Sequence, residues 1–145
     1  MFALVVGFAV GIYVLPILTA PDAPSSAEAQ AAGASAEYSG EFRRTLKGSD
    51  PLHWGEGVVK IGPRAVSLVG RIAPGPDYKL YLVPEFVETK DEFLRLKASS
   101  ARVGDVKTFE NFIVALPHGT DIARYNTVVV WCESFSQFIT AARYR

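Results

Sequence analysis

Short apolar runs, each cut off by glycine or proline, govern what this chain can become. Gly57-Val58-Val59-Lys60-Ile61 stops at Gly62-Pro63, and the run from Ala65 to Val69 stops at Gly70. Tyr78 to Val83 follows the loop Ala73-Pro74-Gly75-Pro76-Asp77 and is closed by Pro84. Phe112 to Leu116 ends at Pro117-His118-Gly119, and Tyr38, Gly40 and Phe42 alternate with polar residues. Thr127 to Cys132 and Phe138 to Tyr144 complete the set. Runs this short and this rich in β-branched and aromatic residues form strands, and their regular spacing predicts an all-β, antiparallel sandwich or barrel. Two stretches fit less well. Glu85 to Leu96 predicts a short helix or an irregular excursion, and Asp121 caps one helical turn before the next strand.

The strands are preceded by something different. Residues 2–20 carry no charge, and 19 residues in a helix cover about 28 Å at ~1.5 Å each, close to a bilayer's hydrocarbon thickness. A secretory signal has a shorter apolar stretch, a basic start and a small-residue cleavage site. Here only Met1 precedes the run, Leu18-Thr19-Ala20 is followed by Pro21, and better small-x-small sites (Ala27-Glu28-Ala29, Ala34-Ser35-Ala36) lie well downstream. The preferred reading is an uncleaved single-pass anchor, with a cleaved signal and a secreted protein as the alternative. Pro16 bends or ends the helix near its far side, and Gly7 and Gly11 form a Gly-x-x-x-Gly pair able to support helix contact. Residues 21–37 are Ala, Ser and Pro with no large apolar side chain, which predicts a flexible linker that is at most transiently helical. The domain expected to fold is thus 38–145, enough for one modest core.

Charge excludes some functions. All 15 basic residues lie after residue 42, while Asp22, Glu28 and Glu37 lie before residue 38. The folded part carries a small positive excess, interspersed with carboxylates, and no nucleic-acid partner is expected. The linker's acids without bases fit a domain outside the cytoplasm, because Lys and Arg are retained on the cytoplasmic side.

The chain has a single cysteine, Cys132, inside the run Tyr125-Asn126-Thr127-Val128-Val129-Val130-Trp131-Cys132. No intrachain disulfide is possible. Strand alternation puts Val128, Val130 and Cys132 on one face and Val129 and Trp131 on the other, and since both are apolar the pattern does not say which is buried. Facing the core, the thiol is inert; at the strand end, near Glu133 and Ser134, it is open to redox chemistry. Replacing a buried Cys132 by Ser is expected to cost roughly 1–3 kcal/mol for an unpaired hydroxyl. His53 and His118 are the only histidines. With Cys132 they offer the ligand types of a blue-copper site, but Met1, the only methionine, lies in the leader, so a metal is not expected and His53 reads as a polar turn residue. Covalent haem attachment would need a second cysteine. No cofactor is required by these residues, although haem or copper would alter the reading. Gly55-x-Gly57 lacks a phosphate-loop context, Glu85/Glu88 and Asp91/Glu92 read as solvated charge, and no nucleophile–base set indicates a hydrolase. The nine Phe, six Tyr and two Trp are expected to fill the core, with Trp54 beside Gly55 as a surface candidate.

The run Tyr125 to Ser136, and above all Trp131-Cys132-Glu133-Ser134-Phe135-Ser136, resembles the DM-thirteen domain, also called the electron-transfer DM family. Gly40-Glu41-Phe42 resembles its opening strand, His53-Trp54-Gly55-Glu56-Gly57-Val58 its His-containing turn, Asp77 to Leu82 its central strand, and Leu116-Pro117 a strand end. The likeness covers about residues 38–145. It departs at Ile139-Thr140, where the family tends to have Phe-Gly, and in the length of Phe86 to Ala101. The resemblance implies an extracytoplasmic β-sandwich with a redox role centred on Cys132, with Trp131, Phe135 and His53 around it. A redox or envelope-protein partner follows from that reading. The alternative is a non-enzymatic binding or scaffold module at the cell envelope.

Overall fold

The computed structural model describes residues 1–145. Its elements, in chain order, are α1 (Phe2–Thr19), α2 (Ser26–Ala32), β1 (Tyr38–Phe42), β2 (Gly55–Ile61), β3 (Ala65–Ile72), β4 (Tyr78–Val83), α3 (Lys90–Leu96), β5 (Ala101–Val106), β6 (Glu110–Ala115), β7 (Thr127–Cys132) and β8 (Gln137–Arg143). The strands form two antiparallel four-stranded sheets, β1-β2-β3-β6 and β5-β4-β7-β8. Seven of the eight strands lie where glycine and proline punctuate the sequence. The eighth, β5, has the run Ala-Arg-Val-Gly-Asp-Val, in which only Val103 and Val106 are buried. Pairing with β4 makes it a strand; its own composition does not.

The sheets enclose one core, with Val59, Ile61, Val66, Leu68, Phe112 and Val114 from one side meeting Leu80, Leu82, Val128, Val130 and Ile139 from the other. All six residues of β7 are buried, which explains why both of its faces are apolar. Val128, Val130 and Cys132 face the sandwich core, while Val129 and Trp131 face a second, smaller cluster with Tyr81, Val83, Val87, Phe93 and Phe138. The long connection between β4 and β5 is the lid of this second core. Thr89 caps α3 through the Glu92 N–H, and Phe93 drops between Tyr81 (5.1 Å between centroids) and Trp131 (4.8 Å). The short helix expected within Glu85 to Leu96 is therefore α3. The capped turn at Asp121 is also present, its side chain accepting from the Ala123 N–H.

Residues 26–32 depart from the expected flexible linker. They form α2, started by Ser25 as N-cap, whose hydroxyl accepts from the Glu28 N–H at 3.1 Å. The helix packs on the outer face of β3 and β6, with Ala29 completely buried. Asn111 Nδ2 donates to the Pro24 carbonyl at 3.0 Å, and the Glu37 N–H donates to the Ile61 carbonyl at 3.0 Å, so the segment is fastened at both ends. Small side chains supply little apolar area of their own, but they let a helix backbone lie close against a sheet, where it covers Ser67 and the stem of Lys60.

The antiparallel registers collect one end of every strand at one pole of the sandwich: the last residues of β1, β3, β5 and β7 and the first of β2, β4, β6 and β8. The turns 50–54, 73–77, 107–109 and 133–136 lie there. The 116–126 connection, including His118, lies at the opposite pole.

Candidate functional site

Cys132 is the last residue of β7, paired with Tyr78 at the start of β4. It therefore sits at the strand-end pole, on the face toward the core. Its residue exposure is 3%, so neither simple sequence alternative describes it: the thiol is buried, yet at the core's outermost edge. Sγ donates to the Pro76 carbonyl at 2.9 Å. The Pro74-Gly75-Pro76 loop crosses above it, held by the Tyr78 hydroxyl donating to the Ala73 carbonyl at 2.7 Å and by the Ala73 N–H donating to the Trp54 carbonyl at 2.9 Å. Tyr78 is braced edge-on by Phe109. Burial pushes the Tyr78 hydroxyl well above the ordinary phenol range, so it stays a neutral donor.

The thiol is pulled in two directions. Burial pushes it up, and the carboxylates of Asp77 and Glu133 add to the rise, while the backbone N–H groups of Phe135 and Ser134 favour the thiolate. The rise wins, so at neutral pH the sulfur is held as a thiol. The neighbouring carboxylates are themselves pinned. The Ser134 hydroxyl and Lys79 keep Asp77 below the usual carboxylate range, burial opposing them. Burial also pushes Glu133 up, but hydrogen bonds from Lys97 and from the Tyr81 hydroxyl (2.6 Å) outweigh it and leave Glu133 low. Asp77, at φ 59°, makes the tight turn into β4.

A crevice of about 560 Å³ opens beside the sulfur. On the domain side its walls are Leu52, His53, Pro74, Pro76, Tyr78, Cys132 and Phe135; on the other side lie Ala9, Ile12 and Tyr13 of α1. The structure thus brings together three of the four expected site residues: Cys132, Phe135 and His53. Phe135 is 48% exposed on the rim. His53 Nδ1 is 2.8 Å from Asp50 Oδ2, and Asp50 Oδ1 accepts from the backbone N–H groups of Leu52 and His53, so Asp50 fixes the ring's orientation. Trp131 does not join them. Alternation along β7 sends it through the sheet to the second core, where it is completely buried with Nε1 unpaired. Trp54 lies under the Arg44 guanidinium, 3.5 Å from the ring centroid, and Arg44 in turn pairs with Glu56 at 2.9 Å. No three His, Cys, Asp or Glu side chains converge as a metal-ligating group, and His118 is not among the crevice walls, so the donors do not fit the copper arrangement considered from composition.

Sequence reasoning missed Pro76, Tyr78 and Asp50. The loop Ala73-Pro74-Gly75-Pro76-Asp77 announced a turn, but not that the turn folds over a thiol 56 residues further on. Asp50-x-x-His53 carried a detectable local signal, since an Asp can accept from backbone N–H groups two and three residues later.

A β-sandwich with a strand-end thiol roofed by a proline loop is the class this arrangement defines. The family model described as electron transfer DM13 matches residues 45–144, and the chain belongs to that family. No curated protein matches this chain, and no solved structure does. Family membership supports a redox role, and α1 is long and apolar enough to cross a membrane, a test that signal sequences also meet.

Proposed function

We propose that this protein is a membrane-anchored, extracytoplasmic electron-transfer module whose redox-active group is the Cys132 thiol. The observation that carries this reading is the position of Cys132 within an electron-transfer family fold: the chain's one sulfur nucleophile borders an open crevice at a strand end. An acidic, base-free segment between α1 and the domain supports the extracytoplasmic side. With one cysteine the chemistry is limited to exchange with an outside sulfur or oxidation of the thiol itself. In exchange, the Cys132 thiolate attacks a partner's disulfide; a bond forms between the two sulfurs, and the partner's second sulfur leaves as a thiolate. The N–H groups of Ser134 and Phe135 stabilise the attacking thiolate, and His53, oriented by Asp50, lies on the same crevice to receive the proton. The Pro74–Pro76 loop limits access to reagents that displace it.

The test is alkylation of Cys132 in the folded full chain, with and without denaturant, across pH. Slow native labelling that accelerates only above the ordinary thiol range, together with capture of a mixed disulfide, is expected. Complete native protection at every pH, with no mixed disulfide formed, would end the thiol reading. An absorption spectrum and metal analysis on the same sample show whether haem or copper is carried.

The 3% exposure of Cys132 favours a second reading, a non-enzymatic binding or scaffold module at the cell envelope. Under it, Cys132→Ser keeps full function.

A further inference from the structure

The docking of α2 changes what the anchor can do. Pro24 is held by Asn111, and from there the chain is fastened along the sheet into β1. Only residues 20–23 separate the end of α1 from that fastening. Thr19 to Pro24 is five residue steps, about 17 Å even when fully extended. A domain on so short a link does not range away from a bilayer that holds α1.

The link also selects which pole is nearest. Thr19, Ala20 and Pro21 lie beside Gly75, Asp77, Lys107 and Phe135, so the anchor leaves from the pole that carries the Cys132 crevice. The chain then crosses the sheet as α2 and enters β1 at the far pole. This near pole exposes two large apolar side chains, Leu52 at 59% and Phe135 at 48%, from separate turns on the same crevice. Lys79 lies between Asp77 (3.2 Å) and Asp105 (2.8 Å), which offsets part of the repulsion those carboxylates would offer to lipid headgroups. In the absence of a bilayer α1 lies along this pole, yet none of its residues is buried there. Entry of α1 into a membrane uncovers the same apolar rim.

We propose that the crevice-bearing pole is a lipid-docking face: Leu52 and Phe135 enter the headgroup–acyl boundary, and the mouth beside Cys132 opens at the membrane surface. This rests on α1 being a membrane span. It places the site of electron exchange at the lipid boundary.

The experiment uses the full chain in phosphatidylcholine nanodiscs. Nitroxide labels are placed through Leu52→Cys, Phe135→Cys or His118→Cys in a Cys132→Ala background, and relaxation by oxygen is compared with relaxation by a water-soluble nickel chelate. Labels at 52 and 135 are expected to favour oxygen by several-fold, and the label at 118, on the opposite pole, to favour nickel. In the unmutated chain, nuclear Overhauser contacts from acyl-chain protons to Leu52 and Phe135 supply the same answer without substitution. Alkaline-carbonate extraction separates the two failures. A chain that is extracted refutes the span. A chain that stays integrated, but whose 52 and 135 positions see nickel as freely as 118, overturns the docking face. Contacts from Leu52 and Phe135 to α1 in place of lipid also overturn it and make α1 an intramolecular cover.

Discussion

Cys132→Ser separates stability from function. An unpaired core hydroxyl would cost up to about 3 kcal/mol. The structure lowers that figure. Sγ already donates to the Pro76 carbonyl at 2.9 Å, so a serine hydroxyl inherits an acceptor. A made hydrogen bond contributes about 0.5–1.5 kcal/mol, which offsets most of the desolvation. The remaining loss is the sulfur's apolar contact with Tyr78 and the loop, and a net cost of about 1 kcal/mol results. Cys132→Ala deletes the donor, leaves the Pro76 carbonyl unpaired and opens a small void, for about 1–2 kcal/mol. Ser is therefore expected to be at least as stable as Ala. Urea unfolding of the two variants beside the parent reads this directly, and for a domain near 100 residues ~1 kcal/mol corresponds to roughly 4–8 °C in Tm. A Ser variant less stable than Ala by 2 kcal/mol would show that the thiol is a plain hydrophobe and that the bond to Pro76 contributes nothing. With Ser folded, loss of electron transfer identifies the sulfur as the redox group, and its retention identifies the scaffold reading.

Other consequences follow from the same packing. Phe93→Ala empties the centre of the second core, where Phe93 is wholly buried between Tyr81 and Trp131, and should cost about 3–5 kcal/mol in denaturant unfolding with a red shift of Trp131 fluorescence. A loss under 1 kcal/mol would mean that α3 is held by something else. Glu133 is depressed in the folded state, so its contribution is present above the unfolded carboxylate pKa near 4.5 and disappears as pH falls through the folded value. The stability gap between parent and Glu133→Gln should accordingly shrink between pH 5 and 3, about the carboxylate titration range; a gap independent of pH contradicts the ion-pair account. Gly57→Ala should be more damaging than Gly119→Ala: both have positive φ, but a Cβ on Gly57 would stand 2.3 Å from the Val69 carbonyl oxygen, while one on Gly119 meets nothing within 4 Å. The backbone strain alone is about 1–3 kcal/mol at either site, so equal losses would rule out the steric contribution.

Much of the sandwich was legible because its determinants are local. Gly62-Pro63 ends β2 and Pro84 ends β4 wherever the chain folds, and the β-branched runs between such stops pair with whatever partner is available; β3, by contrast, runs on through Gly70 to Ile72 because β2 continues to pair with it. The strand without such a signal, Ala101–Val106, has two buried valines, Val103 and Val106, separated by Gly104-Asp105, a spacing that is not the alternation of a strand, and β4 recruits it. The Ala-rich segment is illegible for the opposite reason. Its N-cap is visible in Ser25, ahead of Glu28 in the first turn, but a helix that short forms only when a sheet face receives it.

Within the site, the sequence by itself determined the reagent and its side of the strand: one thiol, no intrachain partner for it, and an alternation that puts Cys132 opposite Trp131. It also determined an uncharged helix long enough to span a bilayer. Tertiary structure decided the rest. Two cores, one on each face of β7, sent Trp131 away from the site, and a loop 56 residues earlier roofed the sulfur. The docked α2 turned a linker into a strap and put the end of α1 and the crevice at one pole. The physical reason is the same in each case: propensity and periodicity act over a few residues, whereas burial, pKa and distance to a membrane depend on which distant surfaces arrive at the same place.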